Sequence, residues 1–255
     1  MANLPLPTVR LPSHSTIDLG LQREGQAVAA VWSSASDDLS TLEATAADWL
    51  HPAELARLSE LRFTARRRSF LLGRRAAQQA LQHLLGLPEG ERLEIRSGVF
   101  GFPVVASTDA RRPQVSLSHT GEVAVAVAFF EDHPLGIDIE AISVDRMETV
   151  LRHASAHERA LLEALDCAPE VATTVLWTCK ESLSKILRTG LMTPLEVYEL
   201  DNLTAHGEGC WTASFRNFAQ YRAEAGIAGY AVQALALPRR TMLGRADVFR
   251  HVATA

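Results

Sequence analysis

Residues 64–85 constrain the fold more than any other stretch of the chain. Phe70, Leu71, Ala77, Ala80, Leu81, Leu84 and Leu85 recur there at helical spacing. Thr64 stands where a cap belongs, and Gly86 and Pro88 stop the pattern. The spacing predicts one long helix over Thr64–Leu85. Its first half carries Arg66, Arg67, Arg68, Arg74 and Arg75. Arg66, Arg67 and Arg74 fall on both sides of such a helix, so one or two can grip a phosphate and the rest form a solvated face.

Strand signals surround this helix. Gln26–Trp32, Leu93–Ile95, Val104–Val105, Val115–Ser118, Val123–Phe130 and Leu135–Glu140 read as strands. Pro52 opens a helix through Leu61, and Arg146–Leu165 and Val171–Arg188 read as further helices. Val197–Leu200, Cys210–Phe215 and Tyr230–Leu237 close the series as strands. Runs of helices followed by runs of strands imply an α+β fold with mainly antiparallel pairing. The element order repeats. The reading is therefore a duplicated architecture of two similar subdomains, each a small sheet packed on helices, at 23–133 and 134–255. Residues 1–22 read as a tail or arm.

Bulk properties exclude some function classes. The chain has 255 residues and a net charge of −5, without the broad positive footprint that nucleic-acid binders need. Val123–Phe130 is the longest unbroken apolar run, far short of the roughly 20 residues that span a bilayer. No secretory signal pattern opens the chain. Three cysteines without a Cys-x-x-Cys pair fit a reducing cytoplasm.

Three residue groups can carry chemistry. Asp138 and Glu140 sit at i and i+2 on a strand, so their carboxylates share one face. A divalent cation would relieve their repulsion, and oxygen ligands favour magnesium or calcium. Two exposed acids on a wet strand face are the plainer alternative. Trp177, Glu181 and Lys185 form a stripe at i, i+4 and i+8 of a helix. A surface Glu–Lys pair, worth about 0.3–0.5 kcal/mol, is the plainer account there. Ser118 and His119 end a strand where hydroxyl, imidazole and backbone N–H groups suit a phosphate. A turn that satisfies its own backbone is the alternative. A Ser–His nucleophilic pair does not fit adjacent strand residues outside a Gly-x-Ser-x-Gly elbow.

Order and spacing unite these groups. Val115-Ser116-Leu117-Ser118-His119-Thr120-Gly121, then Leu135-Gly136-Ile137-Asp138-Ile139-Glu140, then Leu176-Trp177-Thr178-Cys179-Lys180-Glu181-Ser182-Leu183-Ser184-Lys185 resembles the signature of 4′-phosphopantetheinyl transferases. The likeness is to the larger, monomeric, pseudo-twofold type that activates nonribosomal peptide and polyketide synthases. Phe70-Leu71-Leu72-Gly73-Arg74 resembles that family's N-terminal helix. The resemblance spans roughly residues 50–240.

It implies a cytoplasmic enzyme that moves the 4′-phosphopantetheine arm of coenzyme A to a serine of an apo acyl or peptidyl carrier protein, releasing 3′,5′-ADP. It implies magnesium, or manganese, held by Asp138, Glu140 and Glu181. Glu181, Lys185 and Asp138 are the implied catalytic residues. Arg66, Arg74, Ser118, His119, Asp138 and Lys185 are the implied coenzyme A contacts. No nucleic acid and no membrane enter. Arg188, Arg152 and Arg159 are positional candidates for meeting an acidic carrier. The chain departs from the family's frequent Gly-Lys-Pro at Gly101-Phe102-Pro103, which removes a cation, and carries Ala154 where phenylalanine is common. The departure at Phe102 supports an alternative, a coenzyme A-binding relative without transfer. A phosphatase acting on small nucleotides is a third reading.

Overall fold

The computed structural model describes residues 14–88, 90–207, 209–245 and 248. The elements in chain order are β1 (His14–Asp18), β2 (Leu21–Arg23), β3 (Gln26–Val28), β4 (Ala30–Ala35), α1 (Leu39–Trp49), α2 (Pro52–Glu60) and α3 (Thr64–Leu85). Then come β5 (Glu94–Ser97), β6 (Pro103–Ala106), β7 (Pro113–Thr120), β8 (Val123–Phe130) and β9 (Gly136–Ala141). The rest is α4 (Val144–Arg152), α5 (Ala156–Glu163), α6 (Pro169–Ile186), β10 (Leu200–Ala205), β11 (Cys210–Phe215), β12 (Tyr221–Ala228), β13 (Ala231–Pro238) and β14 (Thr241–Met242). The fold is α+β with antiparallel sheets.

Both halves follow one plan. A strand leads into two short helices and one long helix, and the last long strand returns beside the first. In the first half β4 pairs with β8, within the order β1-β4-β8-β7. In the second β9 pairs with β13, within the order β10-β11-β12-β13-β9. Local signals set the helix starts. Asp38 accepts from Thr41 N at 2.9 Å, and Pro52 occupies the first turn of α2. Gly86, at φ 62°, ends α3 in the left-handed region.

The alternation Val-Ala-Val-Ala-Val-Ala on β8 sorts two cores. Ala124, Ala126 and Ala128 face α3, beside Leu71, Leu72, Ala76 and Ala80. Val123, Val125 and Val127 face the opposite core, with Trp32, Ile137, Ile139 and Leu235. That second core is shared by both sheets, so it welds the two halves. The far face of β13, at Val232, Ala234 and Ala236, packs with Val175, Leu176, Cys179 and Leu183 of α6. Small residues on each helix-facing strand let α3 and α6 lie close. Leu71, Leu72 and Leu81 are fully buried, each contributing on the order of 2 kcal/mol.

Several expectations are corrected. The end of the expected tail is ordered structure: β1 is the edge strand of the first sheet, and β2 pairs with β14. The single helix expected over 146–165 is two helices. Ser155 caps α5 with a reciprocal Ser155–Glu158 box, which breaks the run. The strand expected at Val197–Leu200 is mostly a 3-10 turn, Leu195–Tyr198, and β12 was not foreseen. Phe63, rather than Thr64, is the residue before α3, and it makes no side-chain cap.

Candidate active site

The two sheets meet at edge strands β7 and β9, and side chains join them where no ladder exists. Ser116, Ser118 and Thr120 alternate along β7 and point the same way. Ser116 Oγ accepts from Ile137 N at 3.0 Å, and Thr120 Oγ1 accepts from Ala141 N at 3.1 Å. Between them Ser118 Oγ donates to Asp138 Oδ1 at 2.7 Å. Lys185 completes the seam from α6. Its Nζ donates to Asp138 Oδ1 at 2.7 Å, Ile137 O at 2.8 Å and Leu117 O at 3.2 Å. All three donor directions of the ammonium are thereby fixed.

Gly136 makes this reach possible. A Cβ there would lie 2.1 Å from Ser182 O, so α6 rests directly on the β9 backbone. A lone glycine inside a strand pattern marks such close approach, and the motif shows it. Sequence reasoning nonetheless left Gly136 out of the site.

Asp138 is buried, and its Oδ2 has no hydrogen-bond partner in the described structure. Glu140 accepts from Trp177 Nε1 at 3.3 Å and is paired with Arg146 of α4. Burial, then the charge of Asp138, pushes the Glu181 carboxyl up to about 7, with Lys185 opposing and Glu140 adding to the rise. The three predicted acids thus feel one another's charge. Among the described residues no group of three His, Cys, Asp or Glu side chains is arranged to hold a metal ion. Lys185 takes up Asp138 Oδ1 and Arg146 takes up Glu140 instead. The donor chemistry still fits a hard divalent cation: all-oxygen ligands, an unpartnered buried oxygen and mutual repulsion that a cation would relieve.

Ser118 and His119 point to opposite faces of β7. Ser118 is engaged in the seam. His119 lines a cleft of about 690 Å³ with Arg57, Arg66, Arg74, Arg96 and Gly101. Arg66 is exposed and has no ion-pair partner among the described residues. Arg74 lines the same cleft, but its guanidinium pairs with buried Glu54 and donates to Ile95 O at 3.1 Å. Arg67 is likewise tied to Glu43 at 2.6 Å and to the carbonyls of Leu58 and Leu61. A second, smaller cleft of about 240 Å³ is lined by Phe100, Phe102, Leu117, Ile186, Lys185 and Arg188. Arg188 lies over the Phe102 ring, 5.1 Å from its centroid, and donates to Gln114 Oε1 at 2.8 Å. Of the other arginines suggested for a carrier, Arg159 donates to Leu151 O and Ala154 O, and Arg152 to Thr149 Oγ1.

A lysine and clustered acids thus sit where β7 meets β9, and an arginine-lined cleft lies on the other face of β7. Residues 134–234 match the model of the 4′-phosphopantetheinyl transferase superfamily. The superfamily transfers phosphopantetheine from coenzyme A to carrier proteins, normally with a divalent metal. The matched span contains Asp138, Glu140, Trp177, Glu181 and Lys185; Ser118, His119, Arg66 and Arg74 lie outside it. No curated protein matches the chain.

Proposed function

We propose that the chain transfers the 4′-phosphopantetheine arm of coenzyme A to the serine of an apo acyl or peptidyl carrier protein and releases 3′,5′-ADP. The observation that carries this reading is the Asp138–Lys185 contact, 2.7 Å long and placed where β9 meets β7, between two motifs of the matched superfamily span.

Asp138, Glu140 and Glu181 would hold magnesium or manganese. Bound there, the ion supplies Lewis-acid stabilisation of the charge that builds on the pyrophosphate. The other roles belong to the protein. Lys185 holds fixed positive charge at the seam, where the departing phosphate becomes more negative. Glu181, an acid beside that ion, would be the base that takes the serine proton. The serine oxygen then forms its bond to phosphorus as the bond to the ADP oxygen breaks. Arg66 and His119 line the larger cleft and suit the phosphates of the nucleotide end. Arg74 serves there chiefly by holding Glu54 and the β5 backbone in place.

Mass spectrometry of an apo carrier incubated with coenzyme A, magnesium and the protein tests the reading. The expected result is a gain of one phosphopantetheine on the carrier, lost with Glu181→Gln. Phosphate release without carrier modification, or coenzyme A binding without any mass gain, overturns it.

A further inference from the structure

The two cations at the acidic cluster are held in different ways. Lys185 has a side chain 23 % exposed and three acceptors from three different residues. It cannot leave without stranding Asp138 and two carbonyls. Arg146 has a side chain 50 % exposed and sits in the first turn of the nine-residue helix α4. Its only hydrogen bonds among the described residues go to Glu140, through Nη1 to Oε2 and through Nη2 to Oε1 at 3.4 Å. The hydrogen bond to Glu140, and the charges of Glu140, Asp138 and Glu181, all favour the guanidinium, against an opposing effect of burial. One cation is therefore built in and the other is tethered at a single point, with water on its open side.

We propose that Arg146 is a displaceable internal counter-ion, which occupies Glu140 until a divalent cation takes that carboxylate and then swings out to solvent. This rests on the reading that Asp138, Glu140 and Glu181 hold the ion. The two occupants exclude each other for two reasons. Glu140 Oε2 is committed to Arg146, while Oε1 is already shared with Trp177 Nε1. A guanidinium kept in place would also add its charge to that of the dication at short range. Pairs this exposed are worth little, so the latch yields readily. Its consequence is a lowered affinity for the cation and a cluster that stays neutralised without one.

The test is titration of manganese into the chelator-treated full chain, without coenzyme A or carrier, following free manganese by electron paramagnetic resonance. Wild type is expected to bind one ion per chain. Arg146→Gln should bind it about threefold to fivefold more tightly, and Arg152→Gln, on the same helix with the same loss of charge, should match wild type. Trp177 gives a second readout. Its indole fluorescence should respond to manganese in wild type and start closer to the bound level in Arg146→Gln, with Trp177→Phe removing the signal. Equal or weaker binding by Arg146→Gln, with wild type binding normally, overturns the latch and leaves the metal site standing. Equal tightening by Arg152→Gln also overturns it, because the effect is then one of general charge. Absence of binding by both wild type and Arg146→Gln overturns the metal reading itself, and the latch with it.

Discussion

A Cβ on Gly136 would meet the backbone oxygen of Ser182 at 2.1 Å, so helix α6 and strand β9 touch with no side chain between them. The obstacle is backbone, which cannot rotate away. Gly136→Ala must push α6 outward by more than an ångström and carry Lys185 with it. The expected cost is about 2–4 kcal/mol of folding stability, read by urea unfolding. Transfer activity should fall further than stability explains, since Lys185 would lose its hold on Asp138. A variant as stable and active as wild type would refute the argument.

Two lysines of α6, five residues apart, should fail in opposite ways. Lys180 is buried and lies 2.8 Å from the Glu158 carboxylate, which also caps α5 and accepts from Leu200 N. Lys180→Ala leaves a buried carboxylate without its cation and should cost about 3–5 kcal/mol. Pairing Lys180→Met with Glu158→Gln should recover much of that, which a double-mutant cycle measures. Lys185→Ala opens onto the cleft and should cost less stability while abolishing detectable transfer.

The Glu181 carboxyl, pushed up to about 7 from an ordinary value of 4.5, ties stability to pH. The folded state prefers the protonated form. The stability it contributes is therefore fully present below about pH 4.5 and is lost as pH climbs through 7. By linkage the loss is about 3 kcal/mol at most. Glu181→Gln fixes the neutral form, so in chelator it should be more stable than wild type near pH 8 and about equal near pH 4.5. Urea unfolding at both values checks this. The same variant should lose transfer, which separates chemistry from folding.

The fold was legible where period and punctuation agreed. The helix at Thr64–Leu85 was placed to the residue, because apolar spacing and Gly86 act locally. The pairing of acids on β9 was also readable, since i and i+2 must share a face. The split at Ser155 was written as Ser-x-x-Glu, but the continuous apolar pattern masked it. β1 and β2 were missed because they are short and largely polar, so neither shows a clear apolar alternation. At the site, spacing brought Glu181 and Lys185 to one stripe but could not show that Ser116, Ser118 and Thr120 lace β7 to β9. Arg146 gave no signal, because its contact with Glu140 crosses a strand-to-helix bend. The arginine cluster showed charge without showing that Glu54 and Glu43 had already claimed Arg74 and Arg67.

Arg188 adopts φ 55°, in the left-handed region, just past the end of α6. That backbone costs a residue with a Cβ about 1 kcal/mol, and glycine usually takes it. Here the strain delivers a guanidinium to the Phe102 ring and Gln114, on the wall of the cleft that Lys185 also lines. No carboxylate pairs with Arg188 among the described residues. Its charge faces the cleft from the side where Phe102 brings none. If that charge serves coenzyme A, Arg188→Ala should raise the apparent dissociation constant about fivefold, as one partly exposed charged hydrogen bond does. The loss should shrink at high salt. Arg188→Gly should weaken binding equally yet be about 1 kcal/mol more stable than Arg188→Ala, because only it relieves the backbone. Isothermal titration with coenzyme A and urea unfolding give the two numbers. Unchanged affinity in both variants would reduce Arg188 to a clasp that fastens the end of α6 to Phe102 and to Gln114 of β7.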